Sequence, residues 1–351
     1  MERALELAAL APWTSPNPRV GCVIVRDDSI IGEGSHQGAG HPHAETEALA
    51  DLDARGAVMY VTLEPCAHVG RTPACAPAVV AAGIKKVVVA SLDPDPRVDG
   101  AGVRILEESG LTVEVGLLEE EARSLNAPYL HHRSSGQAYL TLKLALSLDG
   151  RLAAPDGSSR WITGEKSRAR VHARRAEADA VMVGAGTVAA DDPSLTARPE
   201  SVLRQPLRVI VDGRGSVAPS ARIFETGGHV LIFTSAKTSE VRLAAWQERG
   251  AEVIVLPSQS GNVAGSDVLA ELGERSVVEV ICEGGGDIAS GFLRDDLVER
   301  LELYYGPVLL GNGGTALGDL GVRSIEEAKR FRTTKVQRLG DDVLMIQERS
   351  A

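Results

Sequence analysis

The chain has 351 residues and a formal net charge of −11, with 37 Lys and Arg against 48 Asp and Glu. This length suits two domains, each large enough to bury a core. Phosphate backbones are bound by clustered Lys and Arg, and the sequence contains no basic run, so the charge argues against a general nucleic-acid binder.

Cysteine content and the N-terminal residues predict the compartment. Four cysteines occur, at Cys22, Cys66, Cys75 and Cys282, which is too few for a disulfide scaffold. The first residues lack the basic and then apolar pattern of a signal peptide, and no apolar stretch approaches the roughly 20 residues that span a bilayer. We therefore expect a soluble, cytoplasmic protein with no membrane partner and no nucleic-acid partner.

The first part of the chain alternates predicted helices and strands. Apolar spacing predicts a helix over Met1–Leu10, and composition predicts another over His43–Ala54. The other predicted elements are strands at Val20–Val25, Ile30–Gly34, Val58–Leu63, Lys85–Ala90 and Leu111–Val115 and a helix at Ala76–Ala82. This alternation indicates an α/β sheet with helices on its faces.

The segment Asn126–Ala138 shows neither helical nor alternating periodicity, and it contains Pro128 and a Ser-Ser-Gly run. It is therefore predicted to be a linker, which divides the chain into domains at residues 1–136 and 137–351. The second domain has its own predicted strands, at Tyr139–Leu146, Ala180–Val183, Leu207–Asp212, His229–Thr234, Ala251–Leu256, Val277–Cys282 and Arg300–Tyr305.

One group of residues in the first half predicts a metal site. His43 and Glu45 form an H-x-E pattern, and Cys66 follows a proline, as in the signature of zinc deaminases. Cys75 departs from that signature, because eight residues separate it from Cys66 instead of two. One imidazole and two thiolates leave a fourth position on zinc for an activated water, and Glu45 is then available to carry a proton.

A structural zinc site is the competing interpretation of the same residues. Such a site needs four protein ligands, usually in paired C-x-x-C motifs, and neither a fourth ligand nor such a motif is apparent in the sequence. The pattern therefore favours a catalytic site.

Longer motifs carry a resemblance to a known family. They span Thr14–Val25, Gly32–His36, His43–Glu45, Glu64–Cys75 and Asp93–Val98. These segments closely resemble the deaminase half of the bifunctional deaminase/reductase family of riboflavin biosynthesis. The resemblance implies a cytidine-deaminase-like α/β/α domain, with zinc held by His43, Cys66 and Cys75 and with Glu45 as the proton shuttle.

The same resemblance implies the substrate contacts of this half. The substrate of the family is a phosphoribosylated diaminopyrimidinone, from which ammonia is released. Asn17 matches the position that reads the pyrimidine, and His68 and Arg71 match positions that contact substrate. A guanidinium such as that of Arg71 is suited to a ribose phosphate.

Two glycine-containing segments in the second half are candidates for cofactor binding. Residues 184–189 follow a predicted strand and read G-x-G-x-x-A, but Asp192 and Pro193 interrupt the helix that a dinucleotide fingerprint requires. Glu283–Gly291 follows another strand and opens a helix, which favours phosphate binding by backbone N–H groups. A tight turn between a strand and a helix is the competing interpretation of both segments.

The second half resembles the reductase half of the same family. The matching segments are Lys143–Gly150, Trp161–Thr163, Gly186–Thr187, Asp191–Thr196, Glu283–Gly286 and Gly306–Gly311. The resemblance implies a dihydrofolate-reductase-like α/β fold that binds NADPH. The implied NADPH contacts are Ala145, Trp161, Thr187, Asp191, Gly213, Gly285, Gly286, Asp287, Ile288, Ala289, Ser290 and Gly291. The implied substrate contacts are Ser159, Leu195, Arg198 and Glu283.

One position departs from the family pattern. Gly213 stands where the family often has Ser, so a hydroxyl contact to the cofactor is expected to be replaced by backbone contacts alone. Lys143, Asp191 and Glu283 are all possible general acids for the reductive step by residue type.

The sequence therefore predicts an enzyme with two successive activities. Zinc-dependent hydrolysis would deaminate 2,5-diamino-6-(5-phosphoribosylamino)pyrimidin-4-one, and NADPH would then reduce its ribosyl group to give 5-amino-6-(5-phosphoribitylamino)uracil. A homo-oligomer, either a dimer or a tetramer, is expected from the resemblance. Two alternatives stay open: a tRNA or nucleoside deaminase with an accessory domain, and a zinc-stabilised binding module without turnover.

Overall fold

The computed structural model of the protein describes residues 1–11, 13–68, 73–198, 204–258 and 261–350. The chain forms two compact units, Met1–Gly136 and Gln137–Ala351. Each unit has its own sheet and its own buried residues. No helix in the described part of the chain is both long enough and apolar enough to cross a bilayer.

The first unit is built on a mixed sheet. Its strands are β1 (Gly21–Arg26), β2 (Ser29–Ser35), β3 (Val58–Val61), β4 (Lys86–Val89) and β5 (Thr112–Val115). Their order is β2-β1-β3-β4-β5, in which β1 runs antiparallel to β2 and β3, whereas β3, β4 and β5 are parallel. The carboxyl ends of β3 and β4 therefore meet at the same edge of the sheet.

The helices of the first unit include one that is shorter than predicted. The helices are α1 (Glu2–Leu10), α2 (Ala44–Ala48), α3 (Cys75–Ala81), α4 (Ala101–Glu108), α5 (Glu119–Leu125) and α6 (Ala127–Ser135). The predicted helix over His43–Ala54 was too long, because Leu49 caps α2 and Asp51 takes a left-handed conformation with φ 54°. A helix does not continue through such a residue.

The predicted linker was also wrong as a structural assignment. Most of Asn126–Ala138 is helix α6, which begins with Pro128 in its first turn and ends at Gly136. Proline is compatible with the first turn, because the backbone N–H that it lacks has no partner there. Tyr129, Leu130 and His132 are buried, so packing against the first unit stabilises a helix whose apolar pattern is weak.

The second unit contains a large, mainly parallel sheet. Its strands are β6 (Tyr139–Leu146), β8 (Ala180–Gly184), β9 (Leu207–Val211), β10 (Val230–Ser235), β11 (Ala251–Leu256), β12 (Glu279–Cys282), β13 (Arg300–Tyr305), β15 (Phe331–Leu339) and β16 (Asp342–Arg349). The order is β11-β10-β9-β8-β12-β6-β13-β16-β15, and the first seven strands in this order are parallel. A small separate sheet pairs β7 (Arg151–Ala153) with β14 (Gly314–Thr315).

Helices connect the parallel strands, and the sheet is buried on both faces. The helices are α7 (Glu165–Glu177), α8 (Ala185–Asp191), α9 (Glu240–Glu248), α10 (Gly265–Glu274) and α11 (Gly286–Arg294), with a 3-10 turn at Arg222–Phe224. Met182 belongs to one core, with Leu142 and Val280, whereas its neighbours Val181 and Val183 belong to a second core. Burial on both faces is typical of parallel sheets and explains the continuous apolar runs that made these strands predictable.

A buried ion-pair network connects α7 to the sheet. Arg174 is 7% exposed, and its guanidinium donates to Glu279 on β12 at 2.6 Å and to Glu302 on β13 at 2.7 Å. Thr141 on β6 also donates to Glu279, at 2.8 Å. The charges on this face of the sheet are therefore paired inside the protein instead of being solvated.

We expect Arg174→Met to lower the free energy of unfolding by about 3–5 kcal/mol, because two carboxylates would stay buried without their main counter-charge. Arg170→Met is a matched control on the same helix, since Arg170 pairs with Glu177 at the surface, and it should change the free energy by less than about 1 kcal/mol. Denaturant unfolding of the full chain measures both. An effect of Arg174→Met no larger than that of Arg170→Met would contradict this account.

Candidate active sites

Three metal-ligating side chains converge in the first unit. His43 immediately precedes α2, Cys66 follows β3, and Cys75 is the first residue of α3. Their ligand atoms all lie within 4.8 Å of one another. His43 Nδ1 is 3.2 Å from Cys75 Sγ and 3.6 Å from Cys66 Sγ.

These distances fit a zinc ion. In tetrahedral zinc sites the metal lies about 2.0–2.1 Å from nitrogen and about 2.3 Å from sulfur, which separates the two ligands by about 3.6 Å. One imidazole and two thiols also form a common donor set for zinc, and they leave one position open. The backbone N–H of Cys75 donates to Cys66 Sγ at 3.3 Å, so the thiolate form of Cys66 has an additional partner.

Glu45 lies beside this cluster and is almost completely buried, with 4% of its surface exposed. Burial raises the pKa of its carboxyl group to about 7, and the carboxyl group contacts the Cys75 thiol. No Lys or Arg among the described residues forms an ion pair with it. The thiols influence each other as well, because a hydrogen bond from Cys75 lowers the pKa of Cys66 to about 4.

The cluster opens into a cavity of about 550 Å³ within the first unit. Asn17 and His68, which were predicted to contact substrate, both line this cavity together with His43, Glu45 and Cys66. The Nδ1 atom of His68 is buried and has no hydrogen-bond partner among the described residues. The third predicted substrate contact, Arg71, lies outside the described residues.

His36 fixes the orientation of the Asn17 side chain. His36 Nδ1 lies 3.0 Å from the carbonyl oxygen of Pro42, and its Nε2 lies 2.9 Å from Asn17 Nδ2. A carbonyl oxygen only accepts, so Nδ1 carries the proton and Nε2 accepts from the Asn17 amide. The amide group is therefore held in one of its two orientations, with Nδ2 towards His36.

The structure adds charged and polar residues that the sequence did not assign. Asp93, Asp95, Arg97, Tyr129 and Arg133 also line the cavity. The hydroxyl of Tyr129 donates to Asp93 at 2.9 Å, and Arg97 donates to Asp95 at 2.9 Å. Tyr129 and Arg133 were missed because they lie in the segment predicted as a linker, whereas the motif at Asp93–Val98 was noticed without a role.

In the second unit two of the predicted cofactor segments, around Thr187 and Gly285, meet at the carboxyl ends of β8 and β12, which are neighbours in the sheet. The backbone N–H of Gly285 donates to Thr187 Oγ1 at 2.9 Å, which joins the start of α11 to α8. Ser290 Oγ donates to the carbonyl of Gly286 and accepts from the N–H of Gly318 at 2.7 Å. The glycine-rich loop is thus held in place by hydrogen bonds within the protein itself.

The other predicted cofactor contacts differ in exposure. Ala145 and Ile288 are half-buried, Ala289 is fully buried in the core, and Asp287 is exposed. Gly291 is half-buried within α11. Trp161 is 67% exposed, and the Arg168 guanidinium lies 4.4 Å from the centre of its ring. Asp191 ends α8, and its carbonyl oxygen accepts from Arg160 at 2.8 Å.

Glu283 is the centre of a charge cluster in this unit. Arg175 donates to both of its carboxylate oxygens, at 2.6 and 3.0 Å, and Lys143 Nζ is 3.8 Å away. Burial opposes ionisation of this carboxyl group, but Arg175 and Lys143 outweigh that effect and lower its pKa to about 2. Glu283 is therefore an ionised carboxylate at neutral pH. The sequence did not single out Arg175, which becomes apparent only from this pairing.

The predicted substrate contacts at Leu195 and Arg198 belong to a loop next to this cluster. Arg175 donates to the carbonyl of Thr196 at 3.0 Å, which ties the loop to Glu283. Leu195 is 2% exposed, whereas Arg198 is exposed and lies 3.4 Å from Ser194 Oγ. Ser159 is half-buried in the segment before Trp161.

A close backbone contact accounts for the glycine at position 213. A Cβ atom at Gly213 would lie 2.0 Å from the carbonyl oxygen of Gly261, far inside van der Waals contact. Ser235 Oγ donates to the carbonyl of Gly213 at 2.6 Å. Side-chain space at this position is thus occupied by backbone, which the sequence could not indicate.

Together these sites define a class of protein: a zinc-dependent deaminase unit followed by a unit of the reductase type with a glycine-rich cofactor loop. Comparisons with known proteins agree with this class. The family model described as the cytidine and deoxycytidylate deaminase zinc-binding region matches residues 1–91, and that of the RibD C-terminal domain matches residues 138–345.

Relatives match over nearly the whole chain. The riboflavin biosynthesis protein RibD of Aquifex aeolicus is 42% identical over 99% of this chain and 97% of its own length. That of Escherichia coli is 38% identical, over 98% and 97%. The structure of Acinetobacter baumannii RibD is 39% identical, with a TM-score of 0.88, and covers 100% of this chain and 98% of its own.

The chain therefore belongs to the RibD family. It is a bifunctional enzyme of riboflavin biosynthesis, with a zinc-binding deaminase domain and an NADPH-dependent reductase domain. The predicted α/β fold class and the predicted pair of activities are confirmed.

We expect Gly213→Ser to weaken the second unit instead of adding a cofactor contact, because the new side chain would displace the carbonyl of Gly261. The midpoint of thermal unfolding should fall, and the KM for NADPH should not. Gly227→Ser is the matched control, since a Cβ atom there has no neighbour within 4 Å. A lower KM for NADPH with unchanged stability would show that this interpretation of Gly213 is wrong.

Proposed function

We propose that the first unit deaminates 2,5-diamino-6-(5-phosphoribosylamino)pyrimidin-4-one and that the second unit reduces the ribosyl group of the product to ribityl. The observation that carries the proposal is the cluster of His43, Cys66 and Cys75 with buried Glu45 beside it, since His43, Glu45 and Cys66 line a cavity of the first unit. A structure from Thermotoga maritima, 34% identical with a TM-score of 0.85, is described as a diaminohydroxyphosphoribosylaminopyrimidine deaminase/5-amino-6-(5-phosphoribosylamino)uracil reductase. It covers 100% of this chain and 97% of its own.

In the first reaction the chain supplies ligands, a proton carrier and substrate contacts. Zinc, when bound by the three ligands, supplies the Lewis acidity that activates water near neutral pH. Glu45 takes a proton at its carboxylate and returns it to the departing amine, so that ammonia leaves and oxygen replaces it on the ring. Asn17, whose amide is oriented by His36, is positioned to read the pyrimidine, and we assign His68 and Arg71 to the remainder of the substrate.

The charge of the protein and its second unit argue against the alternative functions. A tRNA deaminase needs a basic face, whereas this chain carries a net charge of −11. Residues 138–345 match the RibD C-terminal domain. Neither a nucleoside deaminase with an accessory domain nor a binding module without turnover accounts for this match.

In the second reaction we assign the proton donor to Lys143. NADPH, when bound, supplies a hydride to C1 of the sugar in its opened imine form, so one proton has to reach the imine nitrogen. Glu283 is held ionised by Arg175 and Lys143 and has no proton to give. Lys143 Nζ lies 3.8 Å from Glu283 and 5.8 Å from the centre of the Tyr304 ring, so Lys143 is a hydrogen-bond donor held beside Glu283.

The cofactor contacts are assigned on the same basis. We propose that the loop from Gly285 to Gly291 holds the NADPH phosphates by its backbone N–H groups, helped by the N-terminus of α11. Its place at the carboxyl end of β12 supports this assignment, since β12 lies between β8 and β6 although it follows both in the chain. Ligands of parallel α/β sheets bind at such reversals of strand order.

Compartment and assembly are proposals as well. The metal-binding thiols of Cys66 and Cys75 have to stay reduced, which fits the cytoplasm. A homo-oligomer, dimer or tetramer, is proposed from the resemblance to the family.

We expect Glu45→Gln to lower the rate of ammonia release by about 10²- to 10⁴-fold, because the amide keeps the size of the side chain but cannot carry the proton. Zinc content, measured by atomic absorption, and NADPH oxidation with the deaminated intermediate should both be unchanged. Ammonia release at the wild-type rate by the zinc-loaded variant would refute the role of Glu45.

Lys143→Met tests the second site, because it keeps the aliphatic stem and removes only the ammonium. The rate of NADPH oxidation with the deaminated intermediate should fall by at least about 10²-fold, whereas ammonia release should be unaffected. The exposed Lys166→Met is the control within the same unit. If Lys143→Met retains the wild-type kcat, the proton comes from another group.

A further inference from the structure

Glu64 lies two residues before the metal ligand Cys66, and its side chain binds backbone from a distant segment. Its Oε1 atom accepts from the N–H groups of Gly102 at 2.9 Å and Val103 at 3.2 Å. Its Oε2 atom accepts from the N–H groups of Gly100 at 3.1 Å and Asp93 at 3.3 Å. A carboxylate has about four acceptor positions, so both oxygens are fully engaged.

These amides are the main compensation for a buried charge. Glu64 is 5% exposed, and no Lys or Arg in the described ranges forms an ion pair with it. Hydrogen bonds to an ionised acceptor are stronger than those between neutral groups, and three of these four donors lie at the beginning of α4. The carboxylate therefore holds the start of α4 and the loop before it against the end of β3.

A second contact joins the start of α4 to the segment that follows β3. A Cβ atom at Gly102 would lie 1.9 Å from the carbonyl oxygen of Pro65, so the first turn of α4 touches the peptide that leads into Cys66. This contact involves backbone only. Side chain and backbone thus bind the same surface of α4 from adjacent residues, Glu64 and Pro65.

The loop held in this way forms part of the cavity wall. Asp93, Asp95, Arg97 and Val98 line the cavity, and all four belong to the stretch between the amides that Glu64 binds. Asp93 is further fixed by the hydroxyl of Tyr129. The distance between this wall and the metal ligand Cys66 therefore depends on Glu64.

We propose that Glu64 is a positioning residue for the deamination reaction, which sets the charged wall of residues 93–98 at a fixed distance from the metal cluster. This inference rests on the proposed deaminase activity of the first unit. Glu64 borders the cavity, but it does not exchange protons with substrate, because backbone N–H groups fill both of its oxygens.

Glu64→Gln tests the proposal directly. The glutamine amide nitrogen would face two N–H donors, so two of the four hydrogen bonds are lost. We expect kcat/KM for deamination to fall by about 10- to 100-fold, mainly through a higher KM, with one zinc still bound per chain. Glu107→Gln, on the exposed side of α4, makes the same chemical change and should have no effect.

Amide hydrogen exchange separates positioning from a general loss of structure. The amides of Asp93, Gly100, Gly102 and Val103 should exchange faster in Glu64→Gln, whereas those of β3 and β4 should stay protected. Gly102→Ala disturbs the same contact from the other side while Glu64 is intact, and it should raise KM in the same way. If Glu64→Gln fails to fold, Gly102→Ala decides the question.

Two results would overturn the proposal. One is an unchanged KM in a zinc-loaded variant whose four amides have lost protection, and the other is loss of zinc with the four amides still protected. Failure of the proposed function is a separate outcome, since the wild-type protein would then release no ammonia from the diaminopyrimidinone, whatever the exchange data show for Glu64.

Discussion

A charge that leaves water needs partners, and this requirement determines the structure around both sites. Glu64 is compensated by four backbone N–H groups, Glu283 by a guanidinium and an ammonium, and Arg174 by two carboxylates. These pairings hold separate segments of the chain together. Glu45 is also buried, but no guanidinium or ammonium among the described residues pairs with it, and burial raises its pKa to about 7. Glu45, whose charge no such group compensates, is thus the carboxyl group beside the metal ligands that is placed to move protons.

Both units place their chemistry at the carboxyl ends of parallel strands. In the first unit Glu64 and Cys66 follow β3, and Asp93 follows β4, the neighbouring strand. In the second unit the loops after β8 and β12 meet through Thr187 and Gly285. The strands supply rigid positions, and loops that follow adjacent strands come together without any further constraint.

The sequence predicted much of this arrangement where local signals are strong. Segments rich in apolar residues predicted the seven parallel strands of the second unit to within two residues at their ends, because burial on both faces favours apolar residues. The zinc ligands were predictable because their residue types and spacing are specific. Strand β15 was not predicted, since most of its residues are exposed at the edge of the sheet and give no apolar pattern.

Other features depend on partners that are distant in the chain. The segment of helix α6 was predicted to be a linker, because its own sequence has no clear apolar pattern. Tyr129 and Leu130 are buried only through packing against the rest of the first unit. Arg175 and Glu283 are 108 residues apart, and Glu64 and Gly102 are 38 apart, so no local pattern connects them. Likewise, the backbone of Gly261 leaves no room for a side chain at Gly213, and no local pattern in the sequence indicates this contact.

The central claim is that deamination in the zinc unit precedes reduction in the NADPH unit. NADPH oxidation by the zinc-depleted full chain tests it most directly, with the diaminopyrimidinone and the deaminated intermediate as separate substrates. The account predicts that the intermediate is reduced at the normal rate and that the diaminopyrimidinone is not reduced until zinc is restored. Equal oxidation with both substrates in the absence of zinc would contradict it.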